Sequence, residues 1–483
     1  MVSRNVPLGL GARLLRTGSV YAFASLLQRG ASFLLLPVYS RFLSPAQFGV
    51  VNLAEAVAAV LGTIAAFGLP GAMGRIYFRY PDNSVEQKKA VGATIRLMLG
   101  LSLGIGFVSV VAGPSVAGWI APNFSVPFYP LVTLAVVAAV CVQILQIPLT
   151  IARSQERAGR FVSLSLSHFG ISTAGILLLV VAMSWVAPGM LWARAVAAVL
   201  VAGVGLYSVR GWFLSHSSRE HGWEAIRMAA PLLPHQLVAF VLTAGNRFFL
   251  EYYRTTEEVG LYSMAYSVGT VMSVVTATLM MTWSPVFFQK AREGDDGVKT
   301  LGEVGGALIG GLIVIASIGC TLGPLAVRWL LDARYAPAAP AVALVVGGYL
   351  FHGMFSMFQL SVMQHGRTKY LAPVTVFAAI GSLVANYFLV PKYGLVGSAW
   401  ATLTAYVVEA TLVFFLARRL FPVPYPLRRM GLWLAGFGVV FVISQLGLAD
   451  INTLALGGAA VTLLAGAVGW SVRRHWRQHL ASS

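Results

Sequence analysis

Apolar stretches of about twenty residues recur from one end of this 483-residue chain to the other. A run of that length, wound as an α-helix, covers about 30 Å, the thickness of a bilayer's hydrocarbon core. Lipid offers no hydrogen bonds, so each such run has to satisfy its own backbone, and a helix does so. Marking the runs and the polar breaks between them gives fourteen expected helices, at approximately 18–40, 47–70, 93–113, 130–152, 161–185, 190–209, 228–250, 259–281, 301–323, 341–363, 370–390, 395–417, 431–447 and 454–471. The predicted fold is all-α and polytopic. Every connection is short, which leaves no room for a separate soluble domain and puts any function in the membrane or at its edges.

Composition agrees with that reading. Charged residues make up 10% of the chain and hydrophobic ones 58%, whereas a soluble domain carries about 25% charged residues. The net charge of +18 would suit a nucleic-acid binder, but such a chain would be rich in both charge signs and in polar surface. Placement explains the excess instead. With the N-terminus inside, 25 of the 34 Lys and Arg residues fall in cytoplasmic segments, including Arg75, Arg79, Lys88, Lys89, Arg418, Arg419, Arg428 and Arg429. That bias predicts both termini on the cytoplasmic side and an even number of spans. The basic N-terminal segment lacks a compact apolar core followed by a small-residue cleavage site, and it reads as the lead into a retained first helix. Cys141 and Cys320 stand far apart in apolar stretches without ligand spacing, and no GxxxxGK[ST] loop occurs. No metal, cofactor or nucleotide-driven motor is expected.

The chain also echoes itself. Segment 42–60 (FLSPAQFGVVNLAEAVAAV) aligns without gaps on a segment 211 residues later, with Gly49 on Gly260, Ala54 on Ala265, Val57 on Val268 and Val60 on Val271. Both follow an odd-numbered helix and open the next. An offset of six helices preserves orientation and predicts two parallel six-helix lobes. The expected organisation is a cytoplasmic lead at 1–17, an N-lobe at 18–227, a C-lobe at 228–417, a C-terminal helix pair at 418–471 and a cytoplasmic tail at 472–483.

Three stretches carry a family resemblance. SVYAFASLLQRGASFLLLPVYSRFLSPAQFGVVNLAEAV resembles the opening of the Wzx-like polysaccharide and O-antigen flippases, the polysaccharide-transporter branch of the MATE-like exporter superfamily. NRFFLEYYRTTEEVGLYSMAYSVG is similar to the family's helix 7–8 junction, although Asn246 stands where an Asp is common. NYFLVPKYGLVGSAWATLTAY, residues 386–406, resembles the family's turn between helices 11 and 12. The resemblance implies a two-lobed, fourteen-helix transporter. It also implies that undecaprenyl-pyrophosphate-linked oligosaccharide is carried from the cytoplasmic to the outer leaflet for surface polysaccharide synthesis. Physical chemistry explains the turns separately: Pro45, Pro391 and Gly394 stop one helix from running into the next, and Gly397, Ser398 and Ala399 allow close packing in lipid.

The charges left inside spans are the candidate site. A pyrophosphate crossing the bilayer needs a wet, cationic path. Arg29 lies near the middle of the first helix, flanked by Ser25, Gln28 and Ser32 and extended by Tyr21. It is read either as a cavity cation that binds the pyrophosphate or as the partner of Glu55 at comparable depth in helix 2. Arg247 ends a stripe with Gln236 and Thr243, and it either joins that cavity or snorkels to the outer interface. Arg194 and Arg96 rank lower. Glu55, Glu409 and His235 are the gating or coupling candidates, with His168 and His352 behind them, because a histidine or a buried carboxyl titrates near neutral pH. Each histidine also has a plain reading as a hydrogen-bonded packing residue. Pro231 and Pro234 predict a bend near the inner end of helix 7.

The leading expectation is a lipid-linked oligosaccharide flippase of the bacterial inner membrane. It would work as a monomer by alternating access, drawing on the proton or voltage gradient. Its partners would be membrane lipids and the polymerase and glycosyltransferases of its pathway, with no nucleic acid. A MATE-like cation or small-molecule antiporter would need carboxylates to dominate its cavity. A membrane-embedded glycan polymerase or ligase would need a long outer loop with clustered acids, Arg or His.

Overall fold

Every predicted span that falls among the described residues is helical in the computed structural model. The structure describes residues 28, 30, 32–82, 84–120, 124–213, 219–446 and 451–480, and none of these forms a strand. Among the described residues eleven helices are long and apolar enough to cross a membrane, or twelve when the bent pair Arg219–Ala229 and Leu232–Tyr253 counts as one span. The chain is a multi-pass, all-helical membrane protein. The expected fourteen is not reached by this count, for two reasons. Most of the first expected helix lies outside the described residues, and the segments expected at 370–390 and 395–417 run together as one element, Leu371–Leu420.

In chain order the helices used below are α1 Leu36–Phe42, α2 Pro45–Ala66, α3 Leu69–Tyr77, α4 Val85–Ile120, α5 Thr133–Ser154, α6 Ala158–Ile176, α7 Val186–Ser208, α8 Arg219–Ala229 and α9 Leu232–Tyr253. They continue as α10 Thr256–Gly269, α11 Val271–Lys290, α12 Asp295–Leu330, α13 Ala339–Gln364, α14 Leu371–Leu420, α15 Leu427–Leu446 and α16 Ile451–Leu480. Several overrun their expected bounds: α4 was expected over 93–113 and spans 36 residues. Its extra first turns carry Glu86, Gln87, Lys88 and Lys89. Hydropathy marks only the part of a helix that meets hydrocarbon, while backbone hydrogen bonding continues past the interface.

Two compact units emerge. Among the described residues, the first holds those from 46 to 240 together with 28, 30 and 32, and the second those from 33 to 45 and from 241 to 480. The second unit thus claims a piece of the N-terminal region. In it, Arg334 donates to the carbonyls of Ser40 and Arg41, at 3.2 and 3.1 Å, and the Tyr335 hydroxyl donates to Leu43 O at 3.1 Å. The Asp332 carboxylate takes bonds from the Arg334 side chain and backbone, which hold its pKa below the ordinary value. A lowered carboxyl pKa contributes stability above its unfolded value, and that contribution is lost as pH falls through the folded one.

The internal repeat is written into the helix boundaries. α1 ends at Phe42 and α9 at Tyr253, and α2 begins at Pro45 and α10 at Thr256, each pair 211 residues apart. α4 and α12 are both 36 residues long, start 210 residues apart, and carry Pro114 and Pro324 at the same position.

In the first unit, α8 packs beside α3 and α4. Glu224 on α8 receives the Arg79 guanidinium at 2.8 Å and the Tyr80 hydroxyl at 2.9 Å. Burial and that carboxylate push the Tyr80 pKa up. Gly68 turns the chain between α2 and α3 with φ 72°, and an added Cβ would sit 2.6 Å from Ala229 O. The expected bend at Pro231 is present: the α8 and α9 axes differ by 40°.

The second unit turns on Gly394. Twelve residues of straight helix would separate Asn386 from Ser398 by about 18 Å. Their side chains instead meet at 3.2 Å, so α14 is a helical hairpin. Gly394 makes the reversal with φ 54° and ψ −131°, a conformation costly for any residue with a Cβ. Arg254 clamps one arm through Val390 O (3.1 Å) and Pro391 O (2.8 Å), and Glu258 accepts the Leu395 N–H at 2.8 Å. A Cβ at position 394 would collide with the Glu258 carboxylate. Gly394→Ala is expected to lower stability by about 2 kcal/mol or more, from the backbone cost and the lost Glu258 contact. Gly381→Ala, in the first arm with open space around its Cα, is the control expected to be neutral or stabilising. Thermal melts of the purified protein compare the two.

Candidate functional site

Polar and charged side chains inside the spans gather in one place in each unit. In the first unit, α2, α5, α6 and α7 surround a cavity of about 380 Å³. Its walls are largely small: Ala58, Ala59, Gly62, Ala135, Ala138 and Ala139. Against them stand Glu55, Thr63, Gln143, His168, Ser172 and Arg194. The small residues create the volume by keeping side chains short where the helices approach. Glu55 and Arg194 form a salt bridge, with side chains 36% and 30% exposed. The His168 Nε2 is buried without a hydrogen-bond partner among the described residues. Carboxylate, guanidinium, carboxamide, imidazole and hydroxyl groups together suit a ligand that both donates and accepts hydrogen bonds.

In the second unit, α9, α10, α13 and α14 share a buried polar network. Asn246 donates to the Tyr262 hydroxyl at 2.7 Å, to Thr402 Oγ1 at 2.6 Å and to Ser398 O at 3.3 Å. Its carbonyl accepts from Asn386 at 2.9 Å, and Asn386 also donates to Ser382 O at 2.8 Å. Asn246 is 2% exposed, Asn386 1%, Ser398 0% and Thr402 1%. The next residue, Arg247, donates to Ser263 Oγ at 3.1 Å and Thr243 O at 3.2 Å, and its guanidinium lies 5.4 Å from the Tyr266 ring centre. Tyr349 donates to the Tyr266 hydroxyl at 2.7 Å. Farther along α13, His352 Nδ1 meets Glu409 Oε2 at 3.0 Å.

The sequence candidates fall as follows. Arg29 and Ser25 lie outside the described residues, while Gln28 is half-buried and Ser32 exposed, its hydroxyl donating to Gln28 O at 2.8 Å. The expected Arg29–Glu55 pairing falls outside the described residues; among them Glu55 pairs with Arg194. The two helices that carry this pair line the same cavity, an adjacency that sequence spacing does not reveal. Arg247 sits among Ser263, Thr243 and Tyr266. His235, placed first among the histidines, is exposed near the start of α9, while Glu409 is 2% exposed and partnered by His352. Sequence reasoning missed that pairing and the Asn246–Asn386–Thr402 network. The signal was present for the second, since all three residues belong to the stretches that carry the family resemblance. Among the described residues no three His, Cys, Asp or Glu side chains converge as metal ligands.

Residues 14–290, more than half of the chain, match the family described as "polysaccharide biosynthesis protein". The chain belongs to that family. Over 413 residues it is 19% identical to the probable low-salt glycan biosynthesis flippase of Haloferax volcanii, covering 83% of this chain and 82% of that one. It is 20% identical over 410 residues to the Lsg locus putative protein 1 of Haemophilus influenzae, covering 80% and 95%. Its fold is similar to an inward closed lipid II flippase, MurJ, with a TM-score of 0.69, 14% identity, and 94% and 99% of the two chains covered. It is also similar to an inward-facing multidrug resistance MATE family transporter of the MOP superfamily, with a TM-score of 0.63, 13% identity, and 82% and 97% covered. These likenesses establish a MATE-like fold.

Two variants probe the clusters. Asn246→Leu keeps the volume but removes the partner that Asn386, Tyr262 and Thr402 share, and is expected to cost about 1–3 kcal/mol. Arg194→Gln leaves Glu55 without its cation. The double variant Glu55→Gln/Arg194→Gln is expected to melt above the Arg194→Gln single, because no uncompensated charge is left.

Proposed function

We propose that this protein is a flippase for polyprenyl-pyrophosphate-linked oligosaccharide, moving it from the cytoplasmic to the outer leaflet of the bacterial inner membrane by alternating access. The family match over residues 14–290 carries this reading. Support comes from a relative named as a glycan biosynthesis flippase and a fold like that of a lipid II flippase. The basic cytoplasmic segments support an orientation with both termini inside. The protein acts as a secondary transporter, not an enzyme, in company with the polymerase and glycosyltransferases of its pathway. The phosphates need cations in the transport path. Arg29 and Arg247 supply them, Gln28, Ser25 and Ser32 keep the path wet, and Glu55, Glu409 and His235 are the gating or coupling groups.

The antiporter alternative draws less support. A cation exporter needs carboxylates available for its cargo, whereas Glu55 is held by Arg194 and Glu409 by His352. A polymerase or ligase would need a long outer loop, and the connections here are short.

The deciding experiment is a deletion strain: lipid-linked repeat units accumulate in the inner leaflet and surface polysaccharide is lost. Unchanged export in that strain overturns the reading. Arg247→Ala, at normal expression, is expected to reduce export about tenfold, the equivalent of one charge-assisted hydrogen bond. Cysteines at positions 28 and 32 are expected to react with a water-soluble thiol reagent faster than one at Leu34. Equal, low labelling at all three positions would sink the wet path.

A further inference from the structure

Glu409 is the most deeply buried acid among the described residues, 2% exposed on the second arm of α14. A carboxylate taken out of water without compensation is strongly disfavoured, and the usual relief is a proton or a counter-charge. Its one partner among the described residues is His352 Nδ1, at 3.0 Å. A neutral imidazole can donate its one N–H to a carboxylate, but it supplies a counter-charge only when a second proton makes it an imidazolium. The pair therefore has three states: no proton and net charge −1, one proton and net charge zero, two protons and net charge +1.

Groups from the neighbouring helices surround the pair. From α13, the Phe355 ring stacks on His352 at 5.6 Å and Tyr349 meets its edge at 6.3 Å; from α14, Tyr406 lies 4.9 Å away. From α10, Tyr266 accepts the Tyr349 hydroxyl, and from α9, the fixed positive charge of Arg247 lies over Tyr266. α12 brings Cys320, which donates to Ala343 O, and its other ionisable groups lie toward its ends. α11 carries no acidic or basic residue before Lys290. On α15, Arg428 and Arg429 line a separate cleft with Glu303. Access is asymmetric: the Glu409 side chain is 3% exposed and that of His352 37%. The imidazole is the more accessible edge of the pair.

We propose that His352 and Glu409 form a one-proton binding site in the second unit, loaded through the imidazole and discharged when water reaches the carboxylate. The site itself stands on the geometry of the pair. Its use, to link substrate movement to proton movement, rests on the flippase reading. One proton is taken up on one side and the same proton is released on the other, so the balance needs no other reactant.

Infrared difference spectroscopy of the purified protein in lipid, titrated with protons alone, tests the site. The wild type is expected to show a single pH-dependent carboxyl–imidazole transition that disappears in Glu409→Gln. The paired variant His352→Asn/Glu409→Gln keeps a neutral amide contact in place of the ionisable one, and a wild-type-like thermal melt shows that it folds. It is expected to lack the transition and to lose the dependence of polysaccharide export on external pH, with export reduced tenfold or more at neutral pH. An unchanged spectrum in the paired variant overturns the site. A lost transition with wild-type export and pH dependence overturns its use in transport. Unchanged export in the deletion strain overturns the flippase reading and leaves the spectroscopic result standing.

Discussion

A chain surrounded by hydrocarbon has no solvent to satisfy its polar groups, and every feature described here follows from that constraint. It makes each span a helix. It then reaches the side chains: a buried Asn, Glu or Arg has to find its partner within the protein. Asn246 meets Tyr262, Ser398, Thr402 and Asn386, and Glu409 meets His352. Partners of this kind tie α9, α10, α13 and α14 in register, because the geometry of a hydrogen bond tolerates little sliding.

The same constraint explains why two of the stretches behind the family resemblance act as structural fasteners. Arg254 and Glu258, from the junction of α9 and α10, hold the Gly394 hairpin from either side. Fold stability and the polar network are one construction there, since the hairpin brings Asn386 to Ser398. The first unit is built differently. Its small-residue walls leave a cavity, and its Glu55–Arg194 pair faces that space with about a third of each side chain exposed. The second unit thus holds a closely bonded polar network and the first an open, charged cavity.

Much of this was legible in the residues. Helix positions followed from apolar runs, the repeat from one gapless alignment at an offset of 211, and the bend between α8 and α9 from Pro231. Helix ends were missed wherever polar turns continue a helix past the interface, as at Glu86–Lys89. Glu55 and Glu409 were recognisable as unusual from their apolar neighbours alone. Their partners were not, because Arg194 lies 139 residues from Glu55 and His352 lies 57 from Glu409, and no local periodicity links such positions.

The sequence by itself determined a polytopic, all-helical protein, its repeat, its charge bias and the kinds of group available inside the membrane. These depend on properties that act locally or add up: hydropathy, helix period and the sign of loop charges. Only the tertiary structure decided which acid faces which base, that Arg254 and Glu258 clamp the Gly394 turn, and that Ser40–Leu43 is capped by Arg334 and Tyr335. Those outcomes turn on contacts between helices distant in the chain, where a few ångströms separate a hydrogen bond from none.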